Sequence, residues 1–223
     1  MSAEATAVPA AARLRITETF LSLQGEADAV GWPTFFIRLT GCPLRCRYCD
    51  TAYAFHGGEW RTIARLLDEA RESRARHVCV TGGEPLAQRQ CLTLLAVLCE
   101  AGHHVSLETS GAIDAGAVDP RVARVIDVKT PGSGESHRNL DLSVHGLRAR
   151  DQLKFVICDR ADYEWSRDRV RTERLDTRCQ VLFSPSHARL APAQLANWIL
   201  ADRLPVRFQV QLHKVLWGDV PGR

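Results

Sequence analysis

Short apolar runs alternate along the chain with stretches of helical spacing. Residues rich in β-branched and aromatic side chains cluster at 16–23, 34–39, 77–81, 104–109, 125–128, 152–158, 179–183 and 206–212, and each cluster reads as a strand. Leu86, Leu92, Leu95, Ala96 and Leu98 predict a helix from 85 to about 100, with Pro85 suited to its first turn and Gly102 to its end. Ile63, Leu66, Leu67 and Ala70 predict a second over 62–74, and 162–174 and 192–201 read as two more. Parallel strands need crossover helices, so this alternation points to a single-domain α/β fold with a mainly parallel sheet. There are too few units to close an eightfold barrel, and an open, partial β/α barrel is expected. The stretch 130–150, with Gly132, Gly134 and Gly146, reads as a long loop.

Composition removes several function classes. The 223 residues are 45% apolar and 25% charged, which suits a packed globular domain and excludes disorder over most of the chain. Basic residues number 29 against 26 acidic, a net of +3 spread along the sequence, too weak to argue direct nucleic-acid binding. No run approaches the ~20 apolar residues of a membrane span. At the N-terminus Glu4 precedes a mild apolar run and Arg13 and Arg15 follow it, the reverse of a secretory signal. Residues 1–12 are therefore expected to be a flexible extension on a core of 13–223 in a cytoplasmic protein. Lys129, Lys154 and Lys214 are the only lysines in a chain whose other basic residues are arginine. A composition bias accounts for the arginines and sets each lysine apart.

Three of the eight cysteines, Cys42, Cys46 and Cys49, fall within eight residues, just after the strand predicted at 34–39. Without a secretory signal a disulfide framework explains them poorly. Three thiolates can hold three irons of a four-iron cluster and leave the fourth open to a ligand; zinc would require a fourth ligand such as His56. Cys79, Cys91, Cys99, Cys158 and Cys179 read as small buried hydrophobes, and His103 and His104 as structural.

The CxxxCxxC spacing, with Tyr48 before the last cysteine, resembles the signature of the radical S-adenosylmethionine (SAM) superfamily. Thr81-Gly82-Gly83-Glu84-Pro85, between a predicted strand and helix, resembles that superfamily's GGEP motif. Leu23-Gln24-Gly25-Glu26, the run Gly31 to Leu39, Cys49-Asp50-Thr51, Glu108-Thr109-Ser110-Gly111 and His213-Lys214-Val215-Leu216-Trp217-Gly218 resemble the 7-carboxy-7-deazaguanine synthase family over nearly the whole chain.

The resemblance implies a lyase that contracts the ring of 6-carboxy-5,6,7,8-tetrahydropterin to 7-carboxy-7-deazaguanine with loss of ammonia, using SAM catalytically, on the path to queuosine and related 7-deazapurines. It implies a 4Fe-4S cluster on Cys42, Cys46 and Cys49, and SAM contacts from Tyr48, Cys49, Asp50, Gly83, Glu84, Gly111, Asp127, Val128, Lys129 and Ser184. Asp127-Val128-Lys129 stands where many members carry Ser-Pro-Lys. Substrate contacts are implied for Leu23, Gln24, Gly25, Glu26, Arg38, Thr109 and His213, and a Mg²⁺ ligand for Thr51. No side chain is implied as a general acid or base. A flavodoxin or ferredoxin is the implied electron donor, and a homodimer the implied assembly.

These roles suit the residues. The Arg38 guanidinium is a planar fork for a carboxylate, and the oxygens of Gln24 and Glu26 suit the donor-rich edge of a pterin. Two other readings share the cysteine loop. A glycyl-radical activase has no use for the Gln-Gly-Glu, Cys-Asp-Thr and C-terminal Trp-Gly matches, and a zinc-dependent tRNA-binding module would explain only the cysteines and the mild basicity.

Overall fold

The computed structural model describes residues 12–218 together with Val220 and Gly222. Of the extension expected over 1–12, only Ala12 lies among the described residues, and it is buried in the core, its carbonyl accepting from the Ile63 N–H. The elements are β1 (Arg13–Leu23), β2 (Pro33–Leu39), β3 (Glu59–Thr62), α1 (Ile63–Glu72), β4 (His77–Gly82), α2 (Cys91–Glu100), β5 (His104–Thr109), β6 (Ala123–Asp127), β7 (Gln152–Ile157), α3 (Arg160–Glu173), β8 (Gln180–Pro185), α4 (Pro192–Asp202), β9 (Arg207–Phe208) and α5 (Leu212–Trp217). They build one nine-stranded sheet in the order β3-β1-β2-β4-β5-β6-β7-β8-β9. β1 runs antiparallel to both β2 and β3, and every other pairing is parallel. The edge strands β3 and β9 do not pair with one another, so the sheet is open as expected.

Period-two alternation divides the strands between two environments. Phe35, Ile37 and Leu39 of β2, Val78 and Val80 of β4 and Val105 and Leu107 of β5 pack with Ile63, Leu66 and Ala70 of α1 and Leu94, Leu95 and Leu98 of α2. Ile126 of β6, Leu153, Phe155 and Ile157 of β7 and Val181 and Phe183 of β8 pack with Tyr163 and Val170 of α3 and Leu195 and Ile199 of α4. The opposite parity, Phe36, Arg38, Thr81, Glu108, Val125, Asp127, Lys154, Val156 and Ser184, lines a cavity instead. One face of the sheet therefore holds the fold and the other carries polar groups.

Several elements differ from the sequence expectation. The helix expected over 85–100 is split into a 3₁₀ turn at Pro85–Ala87 and α2. Gln88 breaks it: the residue is extended, and its side chain exchanges hydrogen bonds with the main chain of Arg15 at 2.8 and 3.0 Å and donates to the Thr40 carbonyl at 3.0 Å. The strand expected over 206–212 shrinks to the two residues of β9. There the Gln209 side chain accepts from the Ala27 N–H at 2.9 Å, the Leu212 N–H donates to the Gly25 carbonyl at 3.0 Å, and α5 begins. The alternating Val206, Phe208, Val210 and Leu212 mimic a strand, but the chain turns to lay α5 against the loop after β1. β3 has no apolar pattern of its own and forms by pairing with the start of β1. The long loop holds only 3₁₀ turns at Pro131–Ser133 and Ser136–Arg138. Its far end is pinned by the fully buried Arg124, which pairs with Asp151 and donates to the carbonyls of Ala115, His145 and Gly146.

Candidate active site

A cavity of about 550 Å³ opens at the carboxyl ends of the parallel strands, where α/β proteins gather their ligand sites. Cys42, Cys46 and Cys49 line it from the loop after β2. Outside contacts fix that loop: the Gly41 N–H donates to the Ala54 carbonyl at 2.8 Å, the Arg45 N–H to Glu135 at 2.7 Å and the Arg47 N–H to the Ser133 carbonyl at 2.9 Å. The buried Asp162 carboxylate holds the supporting segment in turn, accepting from the Gly132 N–H at 2.7 Å and the Thr130 hydroxyl at 3.0 Å.

The three thiols suit a cluster. Burial pushes the Cys46 thiol up to about 11 and raises Cys42 as well, so the thiolates need a bound positive charge to form. The Leu44 N–H already points at the Cys42 sulfur, 3.4 Å away. Among the described residues no three His, Cys, Asp or Glu side chains converge as a single ion requires, and His56 is exposed and off the cavity. A four-iron cluster takes each thiolate on a separate iron and asks for no such convergence. The other five cysteines are absent from the lining.

The Gly82-Gly83 pair lets the end of β4 lie against the start of this loop. A Cβ on Gly83 would stand 2.2 Å from the Gly41 oxygen and 3.0 Å from the Cys42 Cβ, and Gly82 has φ +139°. Nearby, the buried Tyr48 hydroxyl and Asp127 Oδ1 have no hydrogen-bond partner. Both residues line the cavity, and an unpaired buried polar atom beside it is a group that a bound polar cofactor would satisfy. Burial raises the Tyr48 pKa and keeps its phenol a donor.

Across the cavity, the loop after β1 is braced from within. The Gln24 Oε1 accepts from the N–H groups of Gly25 at 2.8 Å and Glu26 at 3.3 Å. Glu26 is buried, accepting from Lys154 Nζ at 2.7 Å and from Gln211 Nε2 at 2.8 Å. His213 of α5 seats against Gly25, and burial lowers its pKa below the ordinary imidazole value. Arg38 donates from Nε to Glu18 at 2.7 Å and sits over the Phe20 and Tyr53 rings. Thr51 occupies the N-cap position of the 3₁₀ turn Ala52–Phe55 without using its hydroxyl as a cap; that hydroxyl lies 3.8 Å from the Cys49 sulfur.

Most residues expected at the site line this one cavity: Leu23, Gln24, Gly25, Glu26, Arg38, Cys42, Cys46, Tyr48, Cys49, Asp50, Thr51, Gly83, Thr109, Asp127, Lys129, Ser184 and His213. Three do not. Val128 shares the parity of Ile126 and is buried in the apolar core, so its side chain faces away. Glu84 is fully buried beneath β5, bonded to Thr109 and Ser110, and Gly111 packs on Ile126 and Asp127. Only the main chain of these three is suited to meet a ligand. Sequence reasoning gave no role to Lys154, Glu108, Ser186, Arg189, Gln211 or Lys214, all of which line the cavity. For Lys154 a signal was present, a lysine inside an apolar strand of an arginine-rich chain.

The chain matches the Radical SAM superfamily over residues 36–172. It is 42% identical over 211 residues to the 7-carboxy-7-deazaguanine synthase of Chlorobaculum tepidum, covering 93% of this chain and 96% of that protein. Its identity to the 7-carboxy-7-deazaguanine synthase of Koribacter versatilis is 39%, covering 92% and 97%. The crystal structure of QueE from Escherichia coli superposes with a TM-score of 0.74 at 25% identity, covering 90% of this chain and 95% of that one.

Proposed function

The chain belongs to the 7-carboxy-7-deazaguanine synthase family of the Radical SAM superfamily, and from that membership we propose how its cavity carries out the family's reaction. It is a radical SAM lyase. The reaction contracts the ring of 6-carboxy-5,6,7,8-tetrahydropterin to 7-carboxy-7-deazaguanine with release of ammonia, in queuosine and 7-deazapurine biosynthesis. The observation that carries the assignment is the meeting, in one cavity, of three thiols on one side with Gln24, Glu26, Arg38 and His213 on the other.

When bound, the 4Fe-4S cluster and SAM supply the radical that starts the rearrangement. Cys42, Cys46 and Cys49 hold the cluster, and the glycine main chain at Gly83 gives close approach to the cofactor. Tyr48, Asp127, Lys129 and Ser184 offer polar groups to it, in keeping with the orphaned oxygens of Tyr48 and Asp127. Arg38 uses only Nε on Glu18 and keeps its remaining fork for the substrate carboxylate. Each Glu26 oxygen has a lone pair left beyond the bonds to Lys154 and Gln211, enough to accept from the pterin edge. Thr109 brings its main chain to the cavity at the end of β5, its hydroxyl being bonded to Glu84. His213, neutral because it is buried, hydrogen-bonds the pterin without adding charge. The Thr51 hydroxyl, which makes no cap and has the Cys49 sulfur 3.8 Å away, would serve as a ligand for Mg²⁺, an ion that takes few protein ligands. These groups orient and desolvate the substrate and leave the bond changes to the radical.

We further propose that the enzyme works in the cytoplasm as a homodimer reduced by a flavodoxin or ferredoxin; among the described residues no helix is long and apolar enough to cross a membrane. The test is an anaerobic assay of reconstituted protein with SAM, dithionite, Mg²⁺ and 6-carboxytetrahydropterin, read by mass spectrometry. Expected is 7-carboxy-7-deazaguanine, formed with far less than one SAM consumed per turnover and lost in Cys46→Ala. SAM cleavage with no deazaguanine would overturn the substrate assignment.

A further inference from the structure

Four charged side chains form a row linking the pterin wall to the cofactor wall. Glu26 Oε2 lies 2.7 Å from Lys154 Nζ, Lys154 Nζ lies 3.7 Å from Asp127 Oδ2, and Asp127 Oδ2 lies 2.9 Å from Lys129 Nζ. The strands dictate the central contact, since Asp127 and Lys154 are register partners on β6 and β7 and project to the same face. Burial works against both ammonium groups, and the neighbouring carboxylates more than offset it, holding both pKa values above the ordinary one.

Such a row is a poor stability device. Removing four charges from water costs several kcal/mol per ion, and well-packed apolar residues commonly do as well or better. Its place and chemistry point to function instead. Lys154 is a compact, rotatable ammonium in a chain that elsewhere prefers arginine, and a planar guanidinium would not present one point charge to two carboxylates.

We propose that Lys154 is a positioning residue that couples the two walls: its ammonium, shared by Glu26 and Asp127, makes the carboxylate that reads the pterin and the carboxylate that faces the cofactor move and bind as one unit. Filling one side then orders the other, and by linkage the effect is reciprocal. This inference rests on the pterin reading of the cavity.

The test is equilibrium binding to anaerobic holoprotein with the cluster oxidised, so that nothing turns over. The affinity for 6-carboxytetrahydropterin is measured with and without SAM, and that for SAM with and without the pterin. Wild type is expected to show the same several-fold tightening in both directions. In Lys154→Met both affinities should fall, the pterin's by about tenfold or more, and the tightening factor should collapse to one. Lys154→Arg should restore part of the factor, and Glu26→Gln, which breaks the row at its pterin end, should abolish it. Iron content and melting temperature report whether each variant is folded. Should Lys154→Met misfold, Glu26→Gln and Lys154→Arg carry the test alone. An unchanged factor in the folded variants, or none in wild type, would overturn the coupling. A wild type that binds no pterin and makes no deazaguanine would instead overturn the functional reading beneath it.

Discussion

Glu84 and Ser110 are joined twice, the Glu84 carboxylate accepting from both the Ser110 backbone N–H, at 2.7 Å, and the Ser110 hydroxyl. The same carboxylate accepts from the Thr109 hydroxyl at 2.9 Å and the Leu86 N–H at 2.9 Å. It thus locks the turn after β4 to the end of β5, the two segments that bring Gly83 and Thr109 to the cavity. Glu84→Ala would leave two hydroxyls and two backbone N–H groups without their acceptor. Each buried orphan costs ~1–3 kcal/mol, so a loss of about 3 kcal/mol or more is expected. Glu84→Gln, which keeps one carbonyl acceptor and the shape, should lose less. Urea midpoints of the two variants against wild type measure the difference.

Gly25 makes room for His213. A Cβ at this position would lie 2.1 Å from His213 Nδ1, yet the backbone of Gly25 is not left-handed and would itself accept alanine. Gly25→Ala therefore tests the contact alone. It should push α5 off the loop and raise KM for the pterin, with little change in iron content because the cysteine loop is separate. Removing the obstructing ring in Gly25→Ala/His213→Ala should return α5 to its seat, read as recovered protection of the Leu212 amide in hydrogen exchange. A doubly substituted protein as unprotected as the single variant would show that the ring is not the obstacle.

The eight cysteines divide into two groups. Cys42, Cys46 and Cys49 line the cavity, whereas Cys79 and Cys91 are fully buried, and burial raises both thiols far from ionisation. Each of the first three changed to Ala should abolish the cluster absorbance and the activity. Cys91→Ala should retain full iron and sulfide, with a modest stability loss of ~1–2 kcal/mol from the small cavity it leaves. Iron and sulfide analysis of the purified variants decides it; a cluster lost in Cys91→Ala would contradict the grouping.

The legible part of this protein follows from periodicity and motif. The parallel strands were readable because their helix-facing parity is apolar without a break, as in Ile37, Val80, Leu107, Ile126, Phe155 and Phe183. The same alternation places the side chain of Val128, two residues beyond Ile126, in the core and leaves its main chain for any contact at the cavity. What stayed hidden depends on tertiary partners. The break at Gln88 exists because Arg15 and Thr40, remote in sequence, offer their main chain to its amide. The end of β9 is set by the Gln209 contact with Ala27 and the start of α5 by the Gly25 carbonyl, neither of which leaves a local signal. All three lysines line the cavity; composition set them apart, and the register of β6 with β7 places Lys154 beside Asp127.

His213 carries the last expectation, a pH dependence. Burial lowers its pKa below the ordinary 6.5, and this outweighs the pull of Glu26, Asp50 and Glu108 toward the charged form, while Lys214 reinforces the lowering. The sign follows from linkage: with the folded value below the unfolded one, the stability contribution is complete above 6.5 and is lost as pH falls through the folded value. Acid should therefore loosen α5 before it unfolds the sheet, because a proton on this ring must be accommodated against Gly25. Histidine ring resonances followed by NMR should give His213 a midpoint below 6.5, and His213→Gln should remove the matching fall in α5 amide protection. A midpoint above 6.5 would mean that the surrounding carboxylates, not burial, govern the ring.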